Sequence, residues 1–467
     1  MSKPRHRRIK HLVASLRYRL SETRWATMVP RWKPPRIRSR IERNVWYLYV
    51  EVFWAAIFMA VMAFNATYAL RLGASNTMIG WLSSLPALFA MIILMPAARL
   101  LETKSDRGPW LRGSLLIGRG LFLGVAFVPW IAPRHAAEVM IAILIVRALP
   151  MNVFSAGFNP MLADLIPSRD RARVFANRNI IHSATLALCT FLLGRWLDAA
   201  YTIPWAGFPV NFQVMYFVGG VAALLSTYYV SRVRPPETKV VGRAKRPQRD
   251  EETSGLLGRV KATMSEVATQ AADRQGFVRI MSHTLVFNFG AWLVMPLYII
   301  FFVKQLQASD GWIGLNSTLA QVGGIAGHLI WRRVIQRFGN ERTLLTAVPM
   351  AAGYAFLVAL FPDLTLILIW GVLINLINPG VNLSHFTLLI EQCPPERRAS
   401  YMALFSSVMN AGAFVGPMLG VALSEMIDIR WVFIIGGVIR LGGALMFHLW
   451  KVEEGTNTSE DDDRKVA

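Results

Sequence analysis

The stretch Gly73–Ser84, GASNTMIGWLSS, returns 234 residues later as QASDGWIGLNST, Gln307–Thr318. Ala74, Ser75, Ile79, Gly80 and Ser83 align without a gap with Ala308, Ser309, Ile313, Gly314 and Ser317, and Asn76 is matched by Asp310. A second pair lies further on. MLADLIPSRDRARVFA, residues 161–176, matches TLLIEQCPPERRASYMA, residues 387–403. There Asp164 meets Glu391, Pro167 meets Pro394, Arg171 meets Arg398 and Ala176 meets Ala403, at an offset of 227. Two similar offsets at corresponding places mean that one architectural unit is used twice.

Composition says what the unit is made of. The 467 residues are 54% hydrophobic, with a mean hydropathy of +0.39. The apolar residues fall in runs of about 20, the length a helix needs to cross a bilayer. In hydrocarbon only a helix or a closed barrel satisfies its own backbone groups. Twelve spans are expected, at about 45–70, 77–98, 111–132, 137–163, 174–198, 211–231, 278–303, 311–331, 343–361, 364–390, 400–426 and 430–450. The reading is an all-α membrane protein of twelve transmembrane helices in two pseudo-symmetric six-helix bundles. Its divisions are a basic arm (1–43), an N-terminal bundle (44–231), a linker (232–277), a C-terminal bundle (278–450) and an acidic tail (451–467). The arm has no apolar run long enough for a signal-peptide core, so the first span is expected to stay. Cys189 and Cys393 form neither a disulfide framework nor a metal pattern.

The net charge of +22 is a topology signal. With the N-terminus inside, 42 Lys and Arg fall in inner segments and 4 in outer connectors, Arg71, Arg134, Lys304 and Arg430. Such a bias orients a membrane protein, so both termini are expected in the cytoplasm of a multi-pass cell-membrane protein. The excess suits anionic lipid headgroups rather than nucleic acid. In the arm, Leu12, Leu16, Leu20 and Trp25 fit a helix lying on the membrane surface, and a solvated basic arm fits equally. Leu256–Ala272 fits a surface helix, and the tail reads as unstructured.

The loop ADLIPSRDRAR after span 4 and its copy EQCPPERRA after span 10 resemble a signature of the major facilitator superfamily. PAARLLETKSDRG, residues 96–108, is similar to the family's loop between spans 2 and 3, with Glu102 where the family has Asp. QRFGNER after span 8 keeps Arg337, Phe338 and Gly339 but has Gln336 in the acidic place. Arg147 in LIVRALPMN resembles the span-4 arginine motif, with Pro150–Met151 in place of Gln–Gly. GAFVGPMLG in span 11 is similar to the family's antiporter motif, which belongs to span 5. The resemblance covers nearly all of residues 44–450. It implies a monomer whose two halves rock around a central site, with Glu102, Asp164, Arg171, Arg337, Glu391 and Arg398 as gating or structural charges.

Ionisable residues inside a span are costly and point to function. Glu51, about two turns into span 1, is the acidic residue well inside the N-terminal half. Phe58, Met62 and Asn65 follow on its face. Two readings stand: a proton-titratable carboxylate, or a structural ion pair with a neighbouring arginine. Arg147 suits an anionic substrate group or a charged Glu51. Arg119 on span 3 suits a structural pair, and Arg195 and Asp198 suit snorkelling or local pairing. Asn375, Asn378, Asn382 and His385 share one face of span 10. That face is a polar wall of the substrate cavity or a set of interhelical hydrogen bonds. Asn65 joins the cavity candidates. Gln321, His328, His182 and His283 are weaker ones. Trp54, Trp292 and Trp370 suit ring stacking or packing.

The pattern carries no phosphate-binding glycine loop, metal spacing or hydrolase set, so neither an enzyme nor a resident cofactor or metal is expected. The expected function is secondary transport of a small solute, with protons as the coupling partner. A facilitative uniporter and a non-transporting scaffold or sensor are the alternatives. Tags at residue 2, in the 240s and at residue 467 should all be reachable only from the cytoplasm; an external signal from any one breaks the twelve-span topology.

Overall fold

The computed structural model describes residues 40–102, 104, 106–233, 269, 274–394 and 397–449. The expectations for the arm, the linker helix and the tail lie outside these residues. Among the described residues the regular structure is helical, and twelve spans are present. Span 1 is Arg40–Met62 continued by Asn65–Arg71. Span 2 is Asn76–Glu102, span 3 runs from Gly108–Gly124 on to Val128–Ile131, and span 4 is Ala136–Val146 with Ala148–Leu165. Spans 5 and 6 are Ser168–Ala200 and Val210–Arg232. Span 7 is Gln275–Ile300, closed by a π turn at Phe301–Gln305. Spans 8 to 12 are Asp310–Phe338, Asn340–Leu360, Leu364–Glu391, Arg398–Met426 and Ile429–Leu449. Eleven are long and apolar enough to cross a membrane. Span 8, at 29 residues, has the length, but Asn316, Gln321, His328 and its arginines dilute its apolar character. We call inner the end from which Arg40 and Leu449 leave the bundle.

Two inner segments are helical where loops are expected. Span 5 starts at Ser168, directly after Pro167, and span 8 runs on to Phe338. Span 8 stops at Gly339, whose φ of 80° is one that a side chain disfavours. Arg332, Arg333 and Arg337 therefore ride on its last two turns. There the helix dipole favours cations, and their long stems reach past the apolar layer.

The neighbour relations of the two halves match. Span 1 packs on spans 5 and 6, span 2 on span 4, and span 3 on spans 4 and 6; six places on, span 7 packs on 11 and 12, span 8 on 10, and span 9 on 10 and 12. The halves meet where span 5 packs on span 8 and span 2 on span 11. The opening repeat sits at these crossings. A Cβ on Gly314 would lie 2.9 Å from the Thr190 carbonyl of span 5, and one on Gly194 would lie 3.0 Å from Gly314 Cα. The counterpart Gly80 lies against Val421 of span 11. The sequence IG thus recurs because a helix of each half must bring its backbone close to the other half.

The structure also exposes a third repeat that the sequence reading missed. Gly219–Gly220–Val221 of span 6 and Gly436–Gly437–Val438 of span 12 take equivalent places, 217 residues apart. Gly219 lies against Val61 of span 1 and Gly220 against Leu123 of span 3. Likewise Gly436 lies against Val294 of span 7 and Gly437 against Phe356 of span 9. A Cβ on Gly437 would sit 2.7 Å from the Phe356 ring, whereas one on Gly353 would meet nothing within 4 Å. Gly437→Val should therefore cost about 1–3 kcal/mol by overpacking. It should lower the melting temperature in detergent, while Gly353→Ala leaves it unchanged or raises it.

Candidate functional site

Glu51 lies eleven residues into span 1, about 16 Å from its inner end by helical rise and deeper than expected. It is 3% exposed. Arg178 of span 5 donates to Glu51 Oε2 at 2.7 Å, and Ser226 of span 6 donates to Oε1 at 3.0 Å. Arg119 of span 3 approaches Oε1 at 4.0 Å and donates to the Ala223 carbonyl and Thr227 Oγ1 of span 6. One carboxylate thus gathers spans 1, 3, 5 and 6. Arg178 keeps 17% of its side chain exposed, so the pair is not sealed.

Arg147, a candidate partner for Glu51, is placed elsewhere. It sits at the joint between the two helices of span 4 and donates to Met62 Sδ at 2.9 Å. Its guanidinium lies 5.3 Å from the Phe58 ring and 5.7 Å from the Phe122 ring. Among the described residues no carboxylate comes within 4 Å of it. Arg178, which holds Glu51 instead, read in the sequence as one more inner-loop cation; the signal that it lies inside is the unbroken helix around it. Asn65, near the outer end of the same face of span 1, accepts from Tyr216 at 2.7 Å.

The polar face of span 10 is divided. Asn375 returns its amide to the Gly371 carbonyl. His385 Nε2 lies 2.6 Å from Thr284 Oγ1 of span 7, and its ring tilts against Phe405 of span 11. Asn378 is half-buried and Asn382 exposed. Trp292 packs on Gly412 and Gly416, so the glycine pattern of span 11 is a bed for span 7. Gly371 and Asn375 adjoin Asn316 and Gly323 of span 8. Of the charges expected to gate the inner face, Arg171 donates to the Ile166 carbonyl, Arg337 lies over Phe338, and Glu391 and Arg398 are exposed at the ends of spans 10 and 11. Glu102 and Asp164 close spans 2 and 4 on the same face.

A further set of charged contacts joins the halves at the outer end, built by the opening repeat. Arg71, ending span 1, donates to Asp310, starting span 8, at 3.1 Å, and to the Ala308 carbonyl. Lys304, ending span 7, donates to Asn76, starting span 2, at 2.8 Å. Asp198, ending span 5, accepts from Ser309 Oγ and the Gly311 N–H of span 8. Glu425, ending span 11, accepts from Thr77 of span 2 at 2.9 Å. The contacts form two pseudo-symmetric pairs. Each joins the halves, and each has an acid from one half beside the first turn of a helix of the other, where the dipole favours it. One pair includes an ion pair and is half-buried; in the other each charged side chain meets a neutral one, and the contacts are exposed. Asp198 is thus a link between halves, not the local or snorkelling partner expected of it. Tyr201 joins the ionic pair: burial and then the Asp310 carboxylate push its hydroxyl pKa up.

A model of the Major Facilitator Superfamily matches residues 48–279 and 280–466, one match for each half. The chain belongs to this superfamily. Among curated relatives of this member, a Na(+), Li(+), K(+)/H(+) antiporter of Planococcus maritimus is 25% identical over 151 residues, covering 29% of this chain and 33% of the antiporter. Multidrug resistance protein MdtH of Aeromonas hydrophila is 28% identical over 180 residues, covering 38% of this chain and 44% of MdtH. The chain therefore spans less than half the length of these relatives. Among solved structures, a D-xylose-proton symporter aligns with TM-score 0.61 and 15% identity, over 88% of this chain and 96% of the symporter. A POT family transporter aligns with TM-score 0.64 and 12% identity, over 88% and 97%. These likenesses show the fold.

The outer latch makes its own prediction. Arg71→Gln leaves Asp310 buried without its cation, a change costing up to about 3–5 kcal/mol when a buried pair is broken. The latched state loses that stabilisation. The distance between spin labels on the exposed outer residues 205 and 426, one in each half, should shift to longer values. An unchanged distribution would separate the pair from gating.

Proposed function

We propose that this superfamily member moves a small solute across the cell membrane by alternating access, with both termini cytoplasmic, and that proton binding at Glu51 drives it. The observation that carries the coupling is the Glu51–Arg178 pair, an acid of span 1 and a base of span 5 at 2.7 Å, with Arg178 partly exposed. Protonation of Glu51 removes the charge that holds Arg178. Span 5 is also the helix that touches the opposite half at Gly194 and Asp198. A proton on Glu51 therefore changes the energy of the helix that links the halves, which is what coupling requires. The relatives named as a cation/proton antiporter and a proton symporter agree with this reading.

The second reading is facilitated diffusion without a proton. It is favoured by Arg119, which lies 4.0 Å from the same carboxylate, so that Glu51 ties three helices together as a structural ion-pair partner. One variant separates the two. Glu51→Gln keeps an acceptor for Ser226 but cannot cycle a proton. In proteoliposomes it should exchange solute across the membrane yet fail to accumulate it against an imposed pH gradient. Full gradient-driven accumulation by the variant would leave Glu51 as a structural partner of Arg178 and Arg119.

A further inference from the structure

A cavity of about 460 Å³ lies between the inner halves of spans 8 and 10, away from Glu51. His328, Arg332 and Gln336 line it from span 8 at i, i+4 and i+8, one helical face. Asn340 closes it at the start of span 9, and Leu383 and Thr387 wall it from span 10. Leu329 and Ile335 complete the lining. The two walls are held at fixed spacing. Trp331 donates its indole N–H to the Leu376 carbonyl at 2.8 Å and covers Gly380, and Gly327 lets the backbones close.

The lining has a definite chemistry. Arg332 is a permanent cation. Among the described residues no carboxylate lies within 4 Å of it, and none lines the cavity. Gln336 and Asn340 add amide donors. His328 Nδ1 is 2.8 Å from the Gly324 carbonyl, which only accepts, so Nδ1 carries the proton and Nε2 is the ring's open position. Thr387 spends its hydroxyl on the Leu383 carbonyl. Beside this cationic, donor-rich end stand three aliphatic side chains. The groove is open, with Arg332 and Gln336 exposed and Asn340 half-buried. A cationic ligand would meet Arg332 with nothing to offset the repulsion, and a neutral apolar one would give these three groups no partner in place of water. The volume falls in the range of small-molecule sites.

We infer that this cavity binds an organic anion with an apolar body, its carboxylate or phosphate on Arg332 and its chain or ring on Leu329, Ile335 and Leu383. This names the class of the transported solute, and that second step rests on the transporter reading above. The same chemistry is offered by a free amphiphilic anion and by an acidic lipid headgroup, so the test carries an arm for each.

The full chain is purified in an uncharged detergent, and binding of octyl phosphate is measured by titration, with octyltrimethylammonium as the cationic counterpart. Wild type should bind octyl phosphate saturably and ignore the cation. Arg332→Gln should weaken binding about tenfold or more, as expected for loss of a charge-assisted hydrogen bond. Arg333→Gln, an exposed neighbour outside the lining, should not. Equal affinity in the Arg332 variant, or preference for the cation, overturns the site. If a variant melts early, binding is repeated below its transition. The second arm uses nanodiscs of phosphatidylcholine with and without phosphatidylglycerol. Binding that persists in both, with Arg332-dependent flux of octyl phosphate into proteoliposomes, supports the solute class. Binding abolished by phosphatidylglycerol assigns the cavity to a lipid headgroup and overturns the solute class. Binding without flux of octyl phosphate leaves the anion site standing and overturns the solute class, whereas loss of the pH-driven accumulation tested above bears on the transporter reading.

Discussion

Charge inside a membrane helix bundle is costly unless other charges, polar groups or ring faces meet it, and here a single carboxylate meets two guanidiniums. Glu51 holds Arg178 at 2.7 Å and faces Arg119 at 4.0 Å, with Ser226 completing its shell. Those partners come from spans 5, 3 and 6, so the packing of span 1 in the N-terminal half is tied to one carboxyl group. Among the described residues the C-terminal half has no equivalent. Its buried arginine, Arg440 of span 12, occupies the place of Ala223 in the glycine-pair repeat and lies 4.4 Å over the Phe287 ring. Ala223 is the residue whose carbonyl receives Arg119. The two halves share a backbone plan and differ in where they place their ions.

The outer latch shows the same divergence on a smaller scale. Pseudo-symmetry puts a cation of one half against the first residue of a helix of the other, twice. With Asp310 in that place the result is an ion pair; with Asn76 it is a hydrogen bond from a cation to a neutral amide. Surface pairs in water contribute little, but Asp310 is 1% exposed at its side chain, so its pair works in a drier setting. The two sides of the latch are therefore unequal in strength, although the backbone gives them the same geometry.

Much of the architecture was legible in the chain. Twelve apolar runs, the charge bias and two internal repeats give the helix number and the six-plus-six division, because bilayer thickness and backbone hydrogen bonding leave few alternatives. The helix ends were less legible. Residues 168–178 and 332–338 read as loops because they are charged, yet charge at a helix end is compatible with helix when long stems reach the interface. For that reason Arg178 was not seen as the partner of Glu51. The glycine pair was missed because its offset, 217, departs from 234 and 227: loop lengths differ between the halves, so no single shift aligns all six spans. Asp198 read as a local charge because a contact between halves is a property of two distant segments.

Span 5 gives these pieces a mechanical relation. It is a helix of 33 residues with no proline inside, whereas spans 2, 4, 7, 9, 10 and 11 each contain at least one. It behaves as a stiff rod, with Arg178 toward one end, Asp198 toward the other, and the close crossing at Gly194 and Gly314 between them. By helical rise the crossing is about 6 Å from Asp198 and about 24 Å from Arg178. A rod pivoting there has arms in a ratio of about one to four. A shift of about 1 Å at the latch end becomes about 4 Å at the arginine end, so a small displacement where span 5 meets the other half is enlarged where it holds Glu51.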